Sequence, residues 1–125
     1  MLIKYKKSYE KIAMGLLSFM PGQRELRTLR ETIQTYEINP DWQLYLWKKE
    51  EDFVGLIGIK ITEDSFTVLH ASVNPSHRGE GIGHTLIEKA QQLMEPRKMR
   101  ATEETEMFLA KCLETREEKE AEDFF

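Results

Sequence analysis

The order of hydrophobic periods along the chain predicts an α/β protein built on a mixed α+β sheet, with elements in the order β-α-α-β-β-β-α-β-α. Three observations carry this. The apolar period changes from helical to alternating at Trp42, and three strand-like runs then follow with only short polar turns between them, as an antiparallel series requires. The last of these runs leads through a glycine-rich turn into a further helix and short strand, the signature of one crossover unit. With 125 residues, the chain has room for one domain and one core.

Residues 1–5 (MLIKY) are expected as a short strand breaking near Ser8, which is placed to cap a helix. Tyr9, Ile12, Ala13, Leu16, Leu17 and Met20 recur at helical spacing and predict one core-facing stripe, ended by Pro21-Gly22. A second amphipathic helix carries Leu26, Leu29, Ile33 and Tyr36 and stops before Asn39-Pro40, because the residue preceding proline disfavours the α region. Trp42, Leu44 and Leu46 then alternate with Gln43, Tyr45 and Trp47. A polar turn at residues 49–52 leads to Phe53–Ile61, apolar on both sides as a central strand is, with Gly55 and Gly58 marking a bulge or a close backbone approach. Phe66–Val73 is a third β-rich run, stopped by Asn74-Pro75. Leu86, Ile87, Ala90, Leu93 and Met94 predict a helix that Pro96 terminates, Met99–Thr102 a short strand, and Met107, Phe108, Lys111 and Cys112 a last helix over Thr105–Leu113.

Charge divides the chain unevenly. The net value is −4, yet residues 103–125 hold nine acids and three bases, which leaves the first 102 residues at +2. A weakly basic body suits an anionic small molecule and lacks the strong positive field of a nucleic-acid binder. One cysteine, Cys112, cannot close an internal disulfide, and no signal-like or membrane-length apolar run is present, so a cytoplasmic protein without a membrane segment is expected.

The segment richest in chemistry runs from Val73 to His84 (VNPSHRGEGIGH). Glycines at 79, 81 and 83 are expected to take positive-φ conformations, so that successive N–H groups converge into an anion-binding nest. A helix starts at once behind them, adding its unpaired N–H groups and positive dipole end, and Arg78 puts a cation at the lip. The spacing G-x-G-x-G is neither the dinucleotide fingerprint nor the P-loop, and three glycines alone also fit a turn that binds nothing.

The run V-x-P-x-x-R-G-x-G-I-G, spelled by Val73, Pro75, Arg78, Gly79, Gly81, Ile82 and Gly83, resembles motif A of the GNAT acyl-CoA N-acyltransferases. The hairpin over residues 44–61 is similar to the second and third strands of that fold, so the resemblance covers a GNAT-like domain at residues 1–113 and leaves 114–125 as a charged tail or helix extension. The whole chain is similar to the small GNAT-like proteins of riboflavin operons. The resemblance implies that the backbone of Ala71, Ser72 and Val73 pairs with the pantetheine arm of acetyl-CoA or CoA. The N–H groups of Arg78, Gly79, Gly81, Ile82, Gly83 and His84 would then hold its pyrophosphate. The implied reaction passes an acetyl group to an amine acceptor that the sequence does not name.

Departures from that pattern concern the proton chemistry. The tyrosine that many family members use as general acid corresponds to Leu109, and the fourth-strand positions of a general base correspond to Thr67 and Leu69. His70 has opposite parity to Val73, so it is expected on the other sheet face as a packed histidine unless a bulge changes the register. His70, His77 and His84 come from strand, loop and helix with no shared face, which argues against a metal site, and Cys112 reads as a small buried hydrophobe. The family's closing hairpin has no counterpart in the charged run 114–123, giving a C-terminally truncated fold with an open acceptor side. That run reads as a solvated helix or a disordered tail, or as a surface that recruits a basic partner or lines a site for a cationic amine. Two functions are open on these grounds: an acetyl-CoA-dependent N-acetyltransferase, or a CoA-binding regulatory or interaction module that has lost turnover.

Overall fold

A computed structural model of the chain describes residues 1–122, with side chains through Cys112. Five strands form one sheet in the spatial order β1-β2-β3-β4-β5: β1 (Leu2–Lys4), β2 (Trp42–Lys49), β3 (Asp52–Ile61), β4 (Ser65–Val73) and β5 (Lys98–Ala101). The first four pair antiparallel, as the short polar turns between β2, β3 and β4 require. β5 joins parallel to β4 through a crossover helix.

Helices cover both faces. α1 (Glu10–Leu17) and α2 (Leu26–Ile38) pack Leu16, Leu17, Ile33 and Tyr36 against Leu44, Leu46 and Leu56 on one side. α3 (Ile82–Met94) and α4 (Glu103–Glu122) bury Leu86, Ile87, Ala90 and Leu109 against Ile57, Ile59, Phe66 and Val68 on the other. β3 is therefore apolar on both faces because it lies between two cores.

Several local expectations are corrected. Ser8 does not cap α1: it lies within a 3₁₀ turn (Lys7–Tyr9), and neither that turn nor α1 has a side-chain cap. α1 ends three residues early because the amides of Phe19 and Met20 take the carbonyls of Leu16 and Leu17, tightening the last turn. Ile12, Leu26, Leu93 and Met107, all assigned to core stripes, are exposed, since each lies at the margin of its helix's apolar arc. The glycine expectation in β3 is met at Gly58, where a Cβ would overlap the hydroxyl of Tyr36.

The feature that positions the site is a bulge in β4. Gly58 pairs with His70 and Ile59 with Val68, so Leu69 has no partner across the ladder. Phe66, Val68, Ala71 and Val73 consequently all join the α3–α4 core. Leu69 packs instead with the α1–α2 core, where Ser72 donates to the Leu16 carbonyl (2.7 Å) and His70 meets Tyr36. The parity expected of His70 relative to Val73 holds.

Candidate functional site

β4 and β5 pair only from Ser65–Lys98 to Val68–Ala101, and β4 then runs on to Val73 with no strand beside that edge among the described residues. The last shared carbonyl, Val68 O, accepts the hydroxyl of Thr105 (2.7 Å). Thr105 and Thr102 also exchange bonds between side chain and backbone (3.0 and 3.3 Å), a reciprocal cap that fixes the start of α4 beside the opening. Leu109, one turn along, is buried and supplies no proton donor. On the same stretch of β4, the Ala71 amide donates to Sδ of the buried Met20 at 3.2 Å. A thioether is a weak acceptor, so this donor remains available to a stronger one.

Beyond Val73 the chain is shaped for a turn. Asn74 Oδ1 accepts from the amide (3.0 Å) and hydroxyl (2.8 Å) of Ser76, and Pro75 opens a 3₁₀ turn ending at His77. Gly79 (φ +85°) and Gly81 (φ +77°) take left-handed conformations, and a Cβ on either would meet nothing within 4 Å, so the cradle they form is open. Gly83 departs from the expectation of positive φ. It lies inside α3, and a Cβ there would stand 3.1 Å from Phe108 Cζ and 3.3 Å from Cys112 Sγ. Its lack of a side chain serves the contact between α3 and α4. Ile82, Gly83 and His84 are the first residues of α3, whose amides have no carbonyl one turn back within the helix. The first i to i−4 bond runs from Thr85 to Gly81 O (3.0 Å).

Charge around the cradle is arranged in pairs. Arg78 is exposed at its lip. Glu80 is held by Lys49, which reaches it from the end of β2, and by His77 (3.1 Å); the Lys49 contact holds its carboxyl below the usual range. Sequence reading missed this neutralisation because Lys49 is 31 positions away in the chain. His84 pairs with Glu88 one turn on (3.6 Å). Cys112 is buried and its thiol is pushed up by that burial, as a packed small hydrophobe requires.

The open edge of a bulged β4, a left-handed glycine turn and a helix N-terminus lie in succession here. A model of the acetyltransferase (GNAT) family matches residues 10–111. The chain belongs to the GNAT acetyltransferase family. An uncharacterized N-acetyltransferase in the lysA 3′ region of Bacillus methanolicus is 46% identical over 113 residues, spanning 90% of this chain and 94% of that protein. Among solved structures, AAC(6′)-Iy in complex with the bisubstrate analog CoA-S-monomethyl-acetylneamine has a TM-score of 0.74 at 12% identity, over 93% of this chain and 87% of that one. The aminoglycoside antibiotic 6′-N-acetyltransferase AAC(6′)-IG from Acinetobacter haemolyticus has a TM-score of 0.70 at 12% identity, over 93% and 88%. At these identities the structural likeness establishes the GNAT fold. Among the described residues, no helix is long and apolar enough to cross a membrane.

The residues present fit CoA. The cradle has open space where two Cβ atoms would otherwise project, three helix N-terminal amides and a lip arginine, which together suit a pyrophosphate. The free β4 edge, with the loosely held Ala71 amide, suits an extended amide-bearing arm.

Proposed function

We propose that the chain is an acetyl-CoA-dependent N-acetyltransferase of the cytoplasm that acts on an amine. The pyrophosphate is held by Arg78, Gly79, Gly81, Ile82, Gly83 and His84, and the pantetheine arm lies along Ala71, Ser72 and Val73. The observation that carries this reading is the unpaired edge of β4 leading directly into the open glycine cradle at the start of α3. When bound, acetyl-CoA supplies an activated acyl group. The chain's own contribution is to orient it: the Ala71 N–H, which donates to the weakly accepting Met20 thioether, would turn to a carbonyl oxygen of the bound arm as the stronger acceptor. Holding an amine against a thioester supplies much of the rate by itself, so Leu109 in place of a proton-donating side chain slows the reaction without abolishing it.

Thiol release from acetyl-CoA across a panel of small amines and peptide amines tests the reading. Flavin-pathway amines belong on the panel because of the resemblance to riboflavin-operon proteins. At least one acceptor should raise release well above the amine-free rate. Tight CoA binding with no release for any acceptor would favour the regulatory module.

A further inference from the structure

We infer that Lys49 is a positioning residue of the CoA site: it holds the Glu80 carboxylate away from the α3 amides and so keeps the cradle open to a phosphate. The inference rests on the CoA reading of the cradle and adds to it a residue that lies outside the glycine turn.

Glu80 stands within that turn, between Gly79 and Gly81 and directly ahead of α3. An anion at this place has two courses. A helix N-terminus attracts carboxylates, because its first amides are unpaired and its dipole end is positive. α3 has no side-chain cap, and Gly81 at its N-cap position has no side chain to offer one. A free Glu80 would turn its carboxylate to the amides of Ile82, Gly83 and His84. Its extra methylene gives it, from one residue back, the reach that aspartate has from the N-cap itself. Those are the amides that a pyrophosphate needs. The acid and the cofactor would compete for one set of donors, and their like charges would repel.

In the structure Glu80 takes the other course. One carboxylate oxygen accepts from Lys49 Nζ and the other from His77 Nδ1, at 3.1 Å. His77 belongs to the same loop and moves with it, so Lys49 is the tie to the sheet. Its placing follows from the end of β2. The β2–β3 ladder slips between Trp47 and Lys48, pairing Trp47 with Gly55 and Lys48 with Phe53, and Lys49 closes the hairpin opposite Asp52. Lys48 Nζ lies over the Phe53 ring at 5.7 Å, and that ring packs with the α1–α2 core. Successive strand side chains alternate, so Lys49 projects to the other face, the one that α3 covers. The hairpin turns through Glu50 at φ +57°, a left-handed position uncommon for a residue with a side chain. Both members of the Lys49–Glu80 pair are partly exposed, so the pair contributes little to stability. Its consequence is for the ligand.

Calorimetric titration of CoA into wild type, Lys49→Met, Glu80→Ala and the double variant tests this. Lys49→Met frees the carboxylate and should weaken CoA binding by about tenfold. With Glu80 already gone, the same change should cost less than about twofold. Lys49→Arg keeps the ion pair and should bind within about twofold of wild type. Every variant should keep a urea midpoint near that of wild type. An equal loss from Lys49→Met in both backgrounds would mean that Lys49 contacts the phosphates itself, and no loss in either would mean that Glu80 needs no holding. Each of these overturns the inference.

A second readout needs no ligand. In ¹H–¹⁵N spectra without CoA, Lys49→Met should move the amide signals of Ile82, Gly83 and His84, and should leave them in place when Glu80 is already alanine. Signals that stay in place in the first case overturn the inference and leave the CoA reading intact. Wild-type protein that binds no CoA at millimolar concentration overturns the reading of the cradle, and the inference with it.

Discussion

Replacing Gly58 with alanine inserts a methyl group where Tyr36 already is. The added Cβ would overlap the Tyr36 hydroxyl and Cζ and stand 2.9 Å from Cε1, so the obstacle is the end of an aromatic ring held between Trp42 and His70. The ring has to leave its place. Overpacking of this kind costs about 1–3 kcal/mol, and the lost bond to His70 adds roughly 1 kcal/mol, with more if Nδ1 is left unsatisfied. A total of about 3 kcal/mol is a large part of the usual stability of a domain this size, and with a urea m-value near 1.5 kcal/mol/M it lowers the unfolding midpoint by about 2 M. The assay is urea unfolding of wild type, Gly58→Ala, Tyr36→Ala and the double variant. Removing the Tyr36 ring clears the clash, so the double variant should lose about 1–3 kcal/mol less than the sum of the singles. A Gly58→Ala protein within about 0.5 kcal/mol of wild type, or strictly additive costs, would refute the proposed fit of Tyr36 over β3.

Other consequences follow from particular residues. Gly83→Val should destabilise the fold by about 1–3 kcal/mol through Phe108 and Cys112, measured by thermal or urea unfolding, and a neutral result would mean α3 and α4 are not in contact there. His70, whose pKa burial lowers from 6.5 to about 4, binds its proton more readily when unfolded. Its contribution is therefore fully present above pH 6.5 and is lost as pH falls toward 4, by roughly 3 kcal/mol at most, and His70→Gln should flatten that part of the stability profile. Parallel profiles for the two proteins would contradict this. Glu80→Gln removes an anion from the cradle and should tighten CoA binding by about threefold at low salt, with the gain shrinking as salt rises; equal affinity at low salt would place Glu80 outside the ligand's field.

Much of the fold was legible because long elements carry strong periods. The six-residue alternation from Trp42 and the doubly apolar Phe53–Ile61 marked β2 and β3 within a few residues of their bounds. Positions on the edge of an apolar arc, such as Ile12 and Met107, were misread because a stripe shows which face is apolar and not how wide the covering sheet is. In the site, the cradle was visible as local glycine chemistry. The different job of Gly83 was not, because its reason lies in Phe108 and Cys112 on another helix. Tyr36 read as one more core position of its helix; only the β4 bulge and Gly58 bring it to His70 across 34 residues of sequence. Long-range pairings of this kind, Lys49 with Glu80 among them, leave no periodic trace. α4 runs on through the charged stretch to Glu122, while the side chains of the charge run 114–123 lie outside the described residues.

The central claim is that the β4 edge and the glycine cradle form a CoA site, and calorimetric titration of CoA into wild type and Gly81→Val tests it most directly. Gly81 sits at φ +77° in open space, so a β-branched residue there strains the turn without striking the core. Wild type should give saturable one-to-one binding, and the variant should stay folded with its turn relaxed out of the left-handed conformation, losing about 5- to 30-fold in affinity because binding must restore strain of about 1–2 kcal/mol. No heat from wild type at millimolar CoA, or equal affinity for the two proteins, would contradict the account.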